Sequence, residues 1–170
     1  LHMNLDDALA DVAVIGAAGK MGRGIALLLA QLIAETGGDR HHLHLIDTRS
    51  DGLDDLQRYL IRFGAEALLA NIDMSTDFAA ASGSRLIFEA VPEVEAIKIE
   101  TLTRLRQLAP AEAVFFTNTS SLPIAALEKA AGLEGRLSGF DFYNPPPVQE
   151  LLELIPSAAS TPKLVEFAET

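Results

Sequence analysis

Val12-Ala13-Val14-Ile15-Gly16-Ala17-Ala18-Gly19-Lys20-Met21-Gly22 sets a short β-branched run against three glycines, and a second apolar run follows at once. A strand, a turn without side chains and a helix are the reading of that order. Each glycine has a separate physical use: a tight turn, a close backbone approach to a pyrophosphate, and close packing of helix on strand. The helix N-terminus behind the turn offers unpaired N–H groups to phosphate oxygens. The spacing is G-x-x-G-x-x-G, one residue longer than G-x-G-x-x-G, so a looser turn is expected. A purely structural chain reversal is the alternative use of such a turn.

Working outward, residues 11–16 read as the first strand and 20–35 as a helix that is apolar nearly all round, stopped by Gly37-Gly38. A strand follows over 42–46, then apolar residues at helical spacing over 53–69. Residues 85–90 form the next strand. The spacing over 93–108 predicts a helix with Ile97, Leu102, Leu105 and Leu108 on its buried side. Strand 113–117, a proline-started helix over 123–131, strand 137–143 and an edge strand over 151–155 complete the series, and a last helix begins at Thr161. Short strands alternating with helices are the mark of βαβ units. The expected fold class is α/β: a Rossmann-like, doubly wound, mainly parallel sheet in a single domain over 4–170, with Leu1-His2-Met3 set aside as a cloning scar.

The 170 residues, 49% hydrophobic, suffice for one well-buried core. A formal net charge of -11 argues against nucleic acid or anionic membrane as partner, so an anionic ligand must be held by a local device such as the glycine turn. No apolar run approaches the roughly 20 residues that span a bilayer. Cysteine is absent, which removes disulfides and thiolate metal sites and suits a cytoplasmic location. His41, His42 and His44 read as an exposed polar strand edge rather than a metal site. Asp47 closes the second strand, where a carboxylate takes both ribose hydroxyls and repels a 2′-phosphate, favouring NAD over NADP; Arg49 would instead suit a 2′-phosphate.

Further on stand Glu89-Ala90-Val91-Pro92-Glu93, Lys98, Asn118-Thr119-Ser120-Ser121-Leu122-Pro123-Ile124, Gly139-Phe140-Asp141-Phe142-Tyr143-Asn144-Pro145-Pro146-Pro147-Val148 and Leu152-Glu153-Leu154-Ile155. In order and spacing these resemble the 3-hydroxyacyl-CoA dehydrogenase family, without a gap from Glu93 to Glu153. The resemblance implies NAD-dependent oxidation of a 3-hydroxyacyl-CoA. It places cofactor contacts on Gly16, Gly19, Met21, Gly22, Asp47, Glu93, Lys98, Ser120 and Asn144, contacts to the reacting oxygen on Ser120 and Asn144, and an orienting carboxylate on Glu153. Singly, each has a plainer reading: 118–121 as a helix cap, Asn144 as turn chemistry, Lys98 and Glu153 as solvated charges.

Three departures accompany the resemblance. The family's catalytic histidine falls on Asp141, an ordinarily weak base that, set opposite Glu153, would share a proton with it. The stretch between Asp47 and Glu89 is shorter than usual, trimming the hairpin that contacts coenzyme A. The resemblance would continue into a C-terminal helical domain, which is expected to be absent from a chain ending near Thr170, whether as a fragment of a longer polypeptide or as a single-domain protein. The resulting expectation is an NAD-binding domain impaired in turnover on its own, with an acyl-CoA-type substrate. The alternatives are a non-catalytic NAD(H)-sensing module and an NADPH-dependent reductase of another substrate class. Self-association through Leu151, Leu154, Leu164 and Phe167 is a further expectation.

Overall fold

The computed structural model describes residues 4–36, 40–142, 152–157 and 160. Its centre is a seven-stranded sheet in the order β3-β2-β1-β4-β5-β6-β7. The strands are β1 (Asp11–Ile15), β2 (His42–Ile46), β3 (Ile72–Ser75), β4 (Leu86–Glu89), β5 (Val114–Asn118), β6 (Leu137–Phe142) and β7 (Leu152–Pro156). All neighbours pair in parallel except β6 with β7, which run antiparallel at the edge. Around them lie α1 (Leu5–Leu9), α2 (Lys20–Glu35), α3 (Ser50–Arg62), α4 (Glu95–Leu108) and α5 (Ile124–Ala131). This is the doubly wound order, in which the chain leaves β1 toward one edge, then crosses back to lay β4 on its other side.

Strand residues alternate between two cores. Val12 and Val14 of β1 join Leu43, Leu45, Phe88 and Phe116 beneath α2 and α3, whereas Ala13 and Ile15 join Ile46, Ile87 and Phe115 beneath α4 and α5. Both sheet faces are therefore covered, which is why the strands read as nearly unbroken apolar runs. α2 follows the expected bounds and buries Ile25, Leu27, Leu29 and Ile33.

Several expectations are corrected. The helix expected over 53–69 ends at Arg62, because Gly64 adopts φ +87 and the Ala65 N–H turns back to the Leu60 carbonyl; a short 3-10 helix (Glu66–Asn71) then leads into β3. On α4 Leu102 and Leu105 are buried as expected, but Lys98 and Thr101 complete the buried stripe in place of Ile97, which is 41% exposed, and Leu108, which is half-buried. Of the histidine edge only His42 is exposed. His41 is buried, and the His44 ring lies between Asp11 (3.2 Å) and Asp73 (3.5 Å) of the flanking strands. Hydrogen bonding to Asp11 raises the His44 pKa, against burial, with the charges of Asp11 and Asp73 adding to the rise. Among the described residues no group of three or more His, Cys, Asp or Glu could hold a metal ion, and no helix is long and apolar enough to cross a membrane. Of the expected self-association patch, Leu154 packs on the core and the other three residues lie outside the described ones, as does the last helix.

Candidate active site at the carboxyl edge of the sheet

Parallel strands deliver their carboxyl ends to one edge, and a cavity of about 850 Å³ opens there above β1 and β4, the point where the winding reverses. Its wall carries Gly16, Gly19, Lys20 and Met21 from the turn, Asp47 and Arg49 after β2, Glu93 after β4, Asn118 and Ser120 after β5, and Asp141 of β6. Seven residues singled out in the sequence, on five chain segments, thus share one wall.

The three glycines divide their labour as the motif suggests. Gly16 has φ +75, and a Cβ there would lie 2.6 Å from the Ala90 carbonyl oxygen. Gly22 does not line the cavity; a Cβ on it would collide with the Gly16 carbonyl oxygen, so it lets α2 sit against the turn. Gly19 is different. A Cβ there would lie 3.3 Å from the Gly16 carbonyl oxygen and 4.0 Å from that of Ala90, a contact the fold nearly accommodates. Gly19 lines the cavity, so the absence of a side chain there leaves the turn's backbone open to it. The turn is closed rather than loose, with the Gly19 N–H donating to the Gly16 carbonyl at 3.1 Å. Arg23, which the sequence reading passed over, donates to the Ala18 carbonyl at 2.9 Å and lies over the Tyr59 ring.

Asp47 is buried against this turn. Its carboxylate accepts the Ala18 N–H at 3.1 Å and the Arg49 N–H at 3.1 Å, which fixes the carboxylate beside the phosphate cradle. The Arg49 side chain, 3.7 Å from Asp47, is largely exposed.

Under the cavity lies a charged pair with no solvent contact. The Lys98 ammonium donates to both oxygens of Glu89 (3.0 and 3.2 Å), to the Asn118 carbonyl (2.8 Å) and, more weakly, to the Val91 carbonyl (3.4 Å). Glu89 also accepts from the Thr117 hydroxyl and the Val91 N–H. Burial pushes the Glu89 carboxyl up, against the opposing pull of Lys98, Thr117 and Val91. Lys98 is thus not a solvated charge; it sits behind the wall and ties the loops after β4 and β5 together.

Glu93 gathers the hydroxyls expected as a helix cap. Thr119 and Ser121 both donate to one of its oxygens, and Pro123, without a side-chain bond, caps α5. Burial alone would raise the Glu93 carboxyl, but the Thr119 hydrogen bond, the Lys98 charge and Ser121 outweigh it and hold it below the usual range. Ser120 has no hydrogen bond among the described residues and faces the cavity. The Asn118 side-chain oxygen is buried beside it without a partner among those residues, a feature that no motif or spacing signals.

Asp141 stands directly across the β6–β7 ladder from Glu153, so the two carboxyls share one face of the sheet. Burial, then Glu153, then Glu93 raise the Asp141 pKa. Glu153 is exposed and lies off the cavity wall, and Asn144 lies outside the described residues.

Comparison with known proteins gives this edge a family. The model of the 3-hydroxyacyl-CoA dehydrogenase NAD-binding domain matches residues 11–170. The mitochondrial hydroxyacyl-coenzyme A dehydrogenase of Sus scrofa is 33% identical over 182 aligned positions, covering 94% of this chain and 55% of that protein. The crystal structure of the 3-hydroxyacyl-CoA dehydrogenase of Archaeoglobus fulgidus superposes with a TM-score of 0.78 at 29% identity, over 94% of this chain and 51% of its own. A diketoreductase that acts on dicarbonyl compounds superposes at 0.81 and 28%, over 95% and 61%. The chain therefore spans about half the length of the pig and archaeal enzymes. NAD fits the cradle at Gly19, the unpartnered Asn118 oxygen and the fixed Asp47 carboxylate. With fold, cavity and sequence in agreement, the chain belongs to the 3-hydroxyacyl-CoA dehydrogenase family, of which it forms the NAD-binding domain.

Proposed function

We propose that the chain binds NAD for a dehydrogenase of the 3-hydroxyacyl-CoA type and that its own turnover of such substrates is slow, because a carboxylate occupies the base position. The observation that carries this reading is Asp141, on the cavity wall and opposite Glu153 in the β6–β7 ladder. Bound NAD would supply the hydride acceptor for oxidation of a hydroxyl-bearing carbon. The remaining work falls to the chain. The turn and Asp47 hold the pyrophosphate and ribose, the pair Lys98–Glu89 keeps the loops after β4 and β5 in place, and Ser120, with Asn144, would meet the reacting oxygen. Glu153 would orient a base at position 141. With aspartate there, Glu153 has no imidazole to steer and instead opposes a second negative charge.

The proposed substrate is an acyl-CoA-type thioester, and the proposed domain plan places the residues that close the substrate cleft in a helical domain beyond this one. The diketoreductase, a similar structure, acts on dicarbonyl compounds. A non-catalytic NAD(H)-responsive module is the second reading, favoured by the same Asp141. An NADPH-dependent reductase is disfavoured, since Asp47 is locked where a 2′-phosphate would sit.

The test is NADH formation from a short 3-hydroxyacyl-CoA by this chain and by Asp141→His, each with and without a family helical domain added. Loss of a general base typically costs about 10²–10⁴-fold. Asp141→His should regain rate only with the helical domain present. Robust turnover by the unaltered chain would refute the reading and make Asp141 a working base.

A further inference from the structure

The cavity is electrically lopsided. Toward β2 its wall carries Lys20 and Arg49 beside Asp47, where the pyrophosphate and adenosine half of a dinucleotide belong. The other half must then extend over the ends of β4, β5 and β6. There the wall carries Glu93 and Asp141, with Glu153 across the ladder from Asp141. Among the described residues, the cation paired with this end, Lys98, is held beneath the wall by Glu89, which offsets its charge.

NAD⁺ and NADH share every group except the nicotinamide ring, which carries one positive charge when oxidised and none when reduced. Any difference in their affinities must arise at that ring. We infer that this cavity discriminates the redox state of its dinucleotide, holding NAD⁺ more tightly than NADH through the negative charges of Asp141 and Glu93. Glu93 is fixed as a carboxylate by Thr119, Ser121 and Lys98, so its charge is permanent near neutrality. Asp141 has no hydrogen bond among the described residues that would disperse its charge, and like charges nearby make the arrival of a cation there favourable. A histidine at this position would offer no charge or a positive one, so the preference depends on the departure from the family pattern rather than on the pattern itself.

The experiment is a binding titration of the full chain: NADH directly, by its fluorescence, then NAD⁺ and ADP-ribose by competition. ADP-ribose retains the adenosine and pyrophosphate contacts and lacks the ring. For the unaltered chain NAD⁺ should bind more tightly than NADH. A unit charge roughly 7 Å from the ring, at the intermediate dielectric of a half-open cavity, corresponds to about five- to tenfold in affinity. Asp141→Asn should weaken NAD⁺ by that factor and leave NADH and ADP-ribose little changed, and Asp141→His should weaken NAD⁺ at least as much. Equal affinities for NAD⁺ and NADH in the unaltered chain would overturn the inference. An equal loss for all three ligands in Asp141→Asn would also overturn it, because that pattern reports a disturbed fold. Failure of ADP-ribose to bind the unaltered chain would locate the error in the cofactor site itself and remove the inference with it.

Discussion

Replacing Lys98 by methionine leaves the shape of α4 nearly unchanged and removes the cation that, among the described residues, pairs with the buried Glu89 under the cavity. Glu89 then keeps the Thr117 hydroxyl and the Val91 N–H but loses both hydrogen bonds to Lys98, while the Asn118 carbonyl loses its side-chain donor. Breaking a buried pair on one side typically costs about 3–5 kcal/mol, since the partner charge is left uncompensated. Both residues here are 0% exposed, so Lys98→Met should fall in that range. Pairing it with Glu89→Gln removes the stranded charge and leaves Thr117 and Val91 an acceptor. The double variant should therefore be more stable than Lys98→Met by about 1–3 kcal/mol, the range of coupling found for residues in contact. Urea unfolding of the four proteins of the cycle gives the number directly. A loss below about 1 kcal/mol for Lys98→Met, or strict additivity in the cycle, would refute the claim that this pair is a desolvated charge pair holding the floor of the site.

Other outcomes follow from the same geometry. Gly22→Ala should destabilise the fold by about 1–3 kcal/mol in thermal or urea unfolding, because its Cβ meets the backbone of the glycine turn. Gly19→Ala should unfold nearly as the unaltered chain does yet lose NAD affinity in a titration, since the space it fills is the ligand's. His44 makes stability depend on pH. Its folded pKa is raised, so its contribution is fully present below the unfolded value near 6.5 and is lost as pH climbs through the folded one. Asp11, lowered despite burial by the His44 and Ser84 hydrogen bonds and by the His44 and His42 charges, loses its contribution as pH falls below about 4. Comparing urea midpoints of the chain and of His44→Gln from pH 4 to 9 should therefore show a gap that is widest between about 4 and 6.5 and closes at the alkaline end.

How far the sequence carries depends on whether a feature is local. The turn at 16–22 and helix 20–35 are local: glycine spacing, apolar periodicity and the start of α2 lie within one window and agree with one another. β3 is not. Ile72-Asp73-Met74-Ser75 is four residues long, half polar and paired on one side only, and it becomes a strand because β2 offers a ladder. The end of α3 was misread because apolar residues persist at helical spacing past Gly64, whose left-handed backbone breaks the helix whatever the pattern. The resemblance to a family placed Asp47, Glu93, Ser120 and Asp141, and these gather on the cavity wall. Arg23 and Lys98 lie only five and nine residues from their partners Ala18 and Glu89, but their anchoring and burial, like the orphaned Asn118 oxygen, depend on how the turn, β4 and β5 pack, which proximity in sequence does not display.

On the proposed reading, the setting of position 141 explains how a dinucleotide site could persist without a histidine base. Its backbone is fixed by the ladder between β6 and β7, where Gly139 meets Ile155, Phe140 meets Leu154 and Asp141 meets Glu153. Phe140 points into one core, and Gly139 lets Ile124 of the other pack against β6. The side chain at 141 joins neither core; it faces the cavity, half-buried, one pair before the end of the ladder. The fold thus constrains the two residues before it and leaves residue 141 answerable to chemistry alone. Exchange of an imidazole for a carboxylate there alters proton affinity and charge while the cradle at 16–22, the Asp47 anchor and the floor under Glu93 stay intact. Cofactor binding and proton transfer are for that reason separable in this domain. A variant at position 141 should change proton transfer and shift NAD⁺ affinity by only about five- to tenfold while leaving NADH and ADP-ribose binding in place, and a variant at Gly19 or Asp47 should remove binding and turnover together.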